Sequence, residues 1–206
     1  EKLPVEESVP FKKEESPYGE TKQLCKKLLS QYAINSASLR YFNPIGSHSS
    51  SLIGDCSSDK ANNLIPILSE VAIGKRKELI IFGKDYNTID GTCIRDYIPV
   101  VDLANAHVKA LEYILNNNNN RIAINIGTGK GVSVLEAITA FEKTNNLKIN
   151  YSYGPRRKGD IEKIVADNKI AISILNWKAK KTLNEAMLSA WKWEKIGKIK
   201  MMNGTA

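Results

Sequence analysis

Strands alternating with helices along 206 residues predict an α/β fold with a mainly parallel sheet. Three observations carry that reading. Apolar runs such as Leu79-Ile80-Ile81-Phe82 and Ile122–Ile126 have strand length and are rich in isoleucine. Between them lie longer segments with apolar residues at helical spacing. Two of those segments open on a capping box, Ser133 with Glu136 and Thr182 with Glu185.

Taken in order, Tyr18–Tyr32 predicts a helix with Leu24, Leu28 and Leu29 as its apolar stripe. Ile34–Phe42 predicts a strand, broken by Asn43-Pro44-Ile45-Gly46. Ser47–Asp59 reads as a polar loop. Asn62–Ile73 predicts a helix stopped by Gly74. The strand Leu79–Phe82 is closed by Gly83. Asp102 is the expected cap of a helix to Leu115, with Leu103, Ala106, Ala110, Leu111 and Ile114 on one face. The asparagine run Asn116–Asn120 reads as a surface loop. The strand Ile122–Ile126 runs into Gly127-Thr128-Gly129-Lys130-Gly131, which fits no phosphate-loop pattern and reads as a tight turn into a helix. That helix extends to Phe141. Leu147–Tyr153 predicts another strand. Asp167 is the expected cap of Asn168–Leu175, and the last helix runs from Thr182 to Ile196.

Composition narrows the function classes. With 42% hydrophobic and 25% charged residues, the chain has the balance of a soluble globular protein. No apolar run approaches the ~20 residues that span a membrane, so no membrane partner is expected. Cys25, Cys56 and Cys93 are odd in number and widely spaced. They read as free thiols in a reducing, cytoplasmic setting, and with two lone histidines they make no metal site. The net charge of +8 comes from lysines spread along the chain without interleaved aromatics. It reads as a solvated face, and no nucleic-acid partner is expected. The chain starts at Glu1, and its first 17 residues hold three prolines and no periodic pattern. It reads as part of something longer.

Three constellations could carry chemistry. Tyr18 and Lys22 stand four residues apart, hence on one face of a helix. A phenol is a poor base at neutral pH, and a neighbouring positive charge favours its phenolate form. The pair is therefore a possible proton-transfer device. With 8 tyrosines in a lysine-rich chain, about one such pair is expected by chance. Arg156-Arg157-Lys158-Gly159-Asp160 follows a strand. It is either a diphosphate clamp, since guanidinium forks match phosphate oxygens, or a solvated turn. Arg95-Asp96-Tyr97 between a strand and a helix reads by itself as a structural ion pair.

Together these stretches resemble one family. Ser16-Pro17-Tyr18-Gly19-Glu20-Thr21-Lys22 is similar to the YxxxK segment of extended short-chain dehydrogenase/reductases. Leu39 to Gly46 (LRYFNPIG) and Asn62 to Pro66 (NNLIP) resemble segments of UDP-glucose 4-epimerases. So does Phe82 to Tyr97 (FGKDYNTIDGTCIRDY), the most specific stretch, against that family's FGxDYxTxDGTxxRDY. Arg156 to Asp160 is similar to its RRxGD. Trp177, Thr182-Leu183, Trp191 and Trp193 resemble its C-terminal ending.

The resemblance implies the C-terminal part of a Rossmann-like parallel-sheet domain plus a smaller α/β substrate-binding domain. Residues 1–46 and 95–127 would belong to the first, 47–94 and 128–206 to the second. It implies interconversion of UDP-glucose and UDP-galactose by NAD-dependent oxidation and re-reduction at C4. Tyr18 would be the base and Lys22 its electrostatic partner, both also touching NAD. Tyr41, Phe42 and Pro44 would flank the cofactor. Asn43, Asn63, Leu64, Ile80, Ile81, Phe82, Arg95, Tyr97, Arg157 and Asp160 would bind the UDP-hexose, with Arg95 and Arg157 on the diphosphate. Ile164 stands where family members carry residues of different bulk, a smaller one being associated with room for an N-acetyl group. The family commonly forms homodimers, partly through the helix that carries YxxxK. The Gly-rich turn, the acidic residue for the adenosine ribose and the catalytic Ser/Thr all precede YxxxK in the family and are not among these residues. A stretch of this length is therefore expected to be inactive alone. An epimerase of another UDP-sugar, such as UDP-GlcNAc or UDP-glucuronate, and a non-catalytic sugar-nucleotide-binding remnant stay open as alternatives.

Overall fold

A computed structural model describes residues 3–10, 17–32, 34–56, 61–118 and 121–197. Ser16, parts of the N-terminal segment and of the 47–59 loop, Asn119, Asn120 and the last lysines lie outside the described residues. The helix α1 spans Pro17–Gln31 and buries none of its residues.

The strand β1 (Ser36–Tyr41) runs parallel to β6 (Arg121–Ile126) in full register, from Ser36 opposite Arg121 to Tyr41 opposite Ile126. The chain then changes neighbour within one residue. Phe42 N still donates to Ile126 O (3.3 Å), whereas Asn43 N donates to Asp96 O (3.0 Å). From there β2 (Asn43–Ile45) runs parallel to β5 (Tyr97–Pro99). Such a switch at the carboxyl end of parallel strands opens a crevice of the kind that binds ligands in α/β proteins.

A third parallel pair joins β3 (Leu79–Phe82) to β8 (Tyr151–Gly154). The fourth sheet has three short strands. In it β4 (Ile94–Arg95) lies between antiparallel β7 (Val132–Ser133) and parallel β9 (Lys163–Ile164). The ladders are thus parallel apart from β4–β7.

Helices cover two cores. Leu103, Ala106 and Ala110, spaced three and four apart on α3 (Val100–Asn116), pack with Ile98, Ile124 and Ile126. Residues 169–179, grouped from sequence with the substrate-binding part, join this core through Ala171, Leu175 and Trp177. The other core gathers Leu68 of α2 (Leu64–Ala72), Leu79 and Ile81 of β3, Phe141 of α4 (Val134–Asn145) and Met187 of α6 (Leu183–Lys192). Ile45 and Tyr97 also belong to it, although sequence grouped them with the nucleotide-binding part. No helix among the described residues is long and apolar enough to cross a membrane.

Both capping boxes form. Glu136 N donates to Ser133 Oγ (3.0 Å) and Ser133 N to Glu136 Oε2 (2.7 Å). Glu185 N donates to Thr182 Oγ1 (3.1 Å) and Thr182 N to Glu185 Oε2 (2.8 Å). Asp102 does not cap α3, which begins at Val100 directly after Pro99. Pro99 (φ −59°, ψ 128°) ends β5 and turns the chain into the helix three residues early. Asp102 then sits in the first turn, where a carboxylate suits the helix dipole. It accepts instead from Lys180 N (3.1 Å) and Lys181 N (2.8 Å), tying α3 to the approach to α6. Asp167 is not the cap of α5 (Lys169–Leu175): Asn168 holds that position without a side-chain capping bond, and Asp167, one residue earlier, accepts from Lys169 N (3.0 Å).

Candidate active site

The crevice below the strand switch is a cleft of about 440 Å³. Four local structures build it. The switch at Phe42 delivers Asn43 and Pro44, and the start of α2 delivers Asn63 and Leu64. β3 contributes Ile80, Ile81 and Phe82. Arg95 and Tyr97 enter from β4 and β5, and Arg157 and Asp160 from the turn after β8. The period of two along a strand sends Arg95 and Tyr97 one way and Asp96 the other.

Asp96 is fully buried. It makes no ion pair with Arg95, contrary to the isolated reading of that triplet. Its carboxylate accepts from Thr128 N (2.8 Å), Thr128 Oγ1 (2.6 Å), Gly129 N (3.0 Å) and Ala166 N (3.2 Å). The Gly127–Gly131 run is thus a tight turn wrapped on Asp96. A Cβ at Gly127 would meet Asp96 Oδ2 at 2.6 Å.

Arg95 pairs with the Asp160 carboxylate and donates to Ile94 O at 2.9 Å. Arg157 is different. Its guanidinium stacks 3.8 Å from the Phe82 ring centroid, and no ion pair holds it among the described residues. A planar cation held by an aromatic face keeps its donors free for an anion. Sequence reasoning did not single out three further lining residues, Arg76, Lys77 and Cys93. Arg76 pairs with Glu70 (2.9 Å) and donates to Ala61 O (2.9 Å), which steadies the segment carrying Asn63. The cleft therefore shows Arg76, Lys77, Arg95 and Arg157 against Glu78 and Asp160, a surplus of positive charge that suits an anionic ligand.

The β3 edge offers a different recognition. Leu79 N and Gly83 N donate to β8, at Asn150 O (2.9 Å) and Gly154 O (3.0 Å). By alternation the N–H and C=O groups of Ile80 and Phe82 face the opposite edge, where no strand pairs them among the described residues. The Ile81 side chain is in the core, so position 81 has little side chain to present. Tyr97 is also largely buried, and burial pushes its phenol well above the ordinary range.

The Asp-Gly-Thr turn steadies this wall. Asp90 accepts from Thr92 N (2.9 Å) and Thr92 Oγ1 (2.7 Å), and Ser133 Oγ donates to its second oxygen. The loop after β3 is thereby fastened to the N-terminus of α4.

Five expected residues do not line the cleft. Tyr18 is 71% exposed on α1, with Lys22 Nζ 5.1 Å from its ring centroid. The structure brings these two together, but not to the UDP-hexose residues. Tyr41 is exposed, its ring tilted 50° to that of His107 with centroids 6.0 Å apart. Phe42 sits half-buried at the strand switch. Ile164 is the β9 partner of Arg95.

A family model described as GDP-mannose 4,6 dehydratase matches residues 1–189. The chain belongs to this family, the NAD-dependent epimerases and dehydratases of the extended short-chain dehydrogenase/reductases. Among its relatives is the UDP-glucose 4-epimerase of Bacillus subtilis, 45% identical over 186 residues, 87% of this chain and 54% of that protein. The Drosophila melanogaster UDP-glucose 4-epimerase is 41% identical over 198 residues, 93% of this chain and 57% of that one. Among solved structures, the UDP-glucose-4-epimerase of Stenotrophomonas maltophila with bound NAD and formylated UDP-arabinopyranose superposes with a TM-score of 0.91. It is 40% identical, and the match covers 100% of this chain and 60% of that chain. The chain thus spans little more than half the length of these relatives.

Proposed function

We propose that the protein interconverts UDP-glucose and UDP-galactose by NAD-dependent oxidation and re-reduction at the sugar C4. The observation that carries this reading is the electropositive cleft. Arg157, stacked on Phe82, Arg95 beside Asp160, and an unpaired β3 edge occupy its walls together. A UDP-sugar asks for those features. Two arginine forks suit a diphosphate, a carboxylate accepts from ribose hydroxyls, and free backbone amides at Ile80 and Phe82 match the donor and acceptor edge of uracil. Asn43, Asn63, Leu64 and Tyr97 would shape the hexose end.

The donor set at α1 fits the nicotinamide ribose end of NAD: an ammonium and a phenol side by side, both open to a ligand. Lys22 would hold the ribose hydroxyls there, and Tyr41, Phe42 and Pro44 would flank the ring. When bound, NAD supplies the hydride acceptor for C4. Tyr18 would take the proton of the sugar 4-hydroxyl and return it after re-reduction. Firm hold on the nucleotide and loose hold on the hexose would let the oxidised sugar present either face.

Tyr18→Phe in the protein as its gene encodes it is the test. Turnover of UDP-galactose should fall by about 10²–10⁴, while UDP affinity by calorimetry stays at the wild-type value. Retained turnover would remove Tyr18 as the base and sink the mechanism.

A further inference from the structure

Tyr86, on the loop after β3, is 6% exposed, and its hydroxyl has no hydrogen-bond partner among the described residues. Native structures leave few buried donors unpaired, and each asks for a reason. This one cannot swing out to water. Its ring lies so close to Gly83 (φ +83°) that a Cβ there would meet Tyr86 Cε2 at 2.5 Å. The Arg156 guanidinium sits 4.2 Å from the ring centroid and is itself held by Asp85 at 2.8 Å.

The surroundings of the hydroxyl belong to the cleft. The Cys93 thiol lies beside it, and sulfur is a weak acceptor. Cys93 Sγ in turn stands 3.8 Å from Asp160 Oδ2, and Asp160 is paired with Arg95. The Tyr86 hydroxyl is therefore one thiol away from a carboxylate already taken by an arginine.

We propose that Tyr86 is a positioning residue for the nucleotide: when a diphosphate draws Arg95 off Asp160, the Tyr86 hydroxyl, donating to the Cys93 sulfur whose thiol proton faces Asp160, supports that carboxylate and holds it toward the ribose. This rests on reading the cleft as a UDP-sugar site. Arg95 faces two anions once a diphosphate arrives, and turning to one leaves the other short of a partner. A partly buried carboxylate deprived of its cation is costly unless a donor replaces it. The clamped phenol, acting through the thiol, completes that support: it is fixed in advance and, among the described residues, has only the weakly accepting Cys93 sulfur beside it in the free protein. Burial, with the neighbouring thiol, pushes Tyr86 up to about 12, so the phenol keeps its proton at neutral pH.

Calorimetry of wild type and Tyr86→Phe with UDP and with uridine tests this. Uridine brings no diphosphate, so Arg95 stays on Asp160 and Tyr86 has no role. The expected result is a loss of about tenfold in UDP affinity, the worth of one hydrogen bond to a charged group, with uridine affinity unchanged. The thermal midpoint of the free protein should be equal or higher. Asp160→Asn supplies the second arm. In that background Tyr86→Phe should cost UDP binding far less than it does alone, as coupled partners do. Equal UDP affinity in wild type and Tyr86→Phe overturns the proposal. So does an equal loss for UDP and uridine, or the same loss with and without Asp160. A wild-type protein that binds neither nucleotide sinks the nucleotide reading of the cleft itself.

Discussion

Arg157 is poised by an aromatic ring rather than by a counter-charge, and that decides how it should respond to substitution. Lysine at 157 keeps the charge but loses both the planar stack on Phe82 and the two-pronged donor geometry. Arg157→Lys should therefore weaken UDP binding by about tenfold, roughly one bidentate contact. The thermal midpoint should move little, because no ion pair holds the guanidinium among the described residues and a cation over a ring near the surface is worth only about 0.5–1 kcal/mol. Unchanged affinity in calorimetry would assign Arg157 to the solvated turn that its sequence allows equally well. At this scale the motifs were legible where chemistry and alternation coincide. Arg95 and Tyr97 share a strand face and share the cleft. Asp96 was misread because a carboxylate next to an arginine looks like its partner. The strand period turns the two apart, and Asp96 meets a glycine turn that lies 31 residues downstream or more. Tyr86 carried no signal beyond its place in the motif, since a hydroxyl's lack of partners depends on three segments packing together.

Elements with their own local signals were the readable ones. α4 and α6 announce themselves through capping boxes, and the structure closes both. The strands β2, β4, β5, β7 and β9 are two or three residues long. Periodicity needs at least four residues to register, so these strands exist only by virtue of their neighbours. The strand expected over Leu147–Tyr153 begins later, at Tyr151, for a local reason. Glu142 draws the backbone back onto the end of α4, its main-chain oxygen accepting from Leu147 N (3.1 Å) and its side chain from Ile149 N (2.9 Å). The α6 box permits a clean test of an element's own contribution. Thr182→Ala removes the acceptor for Glu185 N and frees that side of the box. The expected cost is about 1 kcal/mol of unfolding free energy, read from chemical denaturation at an unchanged slope. A loss well below that would mean that the Asp102 contacts to Lys180 and Lys181 suffice to hold the helix start.

For the whole molecule the open question is what the α1 surface faces. The helix buries none of its residues, yet Leu24 and Leu28 stand 54% and 53% exposed on it. At about 100° per residue they project roughly a third of a turn away from Tyr18 and Lys22. One helix can therefore present its phenol and ammonium to a cofactor while a neighbouring stripe docks elsewhere. We propose that this stripe is a homodimer contact, the partner that the family resemblance implies. Two half-exposed leucines on adjacent turns gain from being covered, each by roughly half of the ~1.5–3 kcal/mol that complete burial of a leucine is worth. A second copy related by a twofold axis would cover both stripes at once. The protein should then run as a dimer in light scattering. The double variant Leu24→Asp, Leu28→Asp should run as a monomer with the same circular dichroism spectrum, because neither side chain contributes to a core. A wild-type monomer, or a variant that stays dimeric, would place the contact elsewhere and leave the exposed stripe unexplained by self-association.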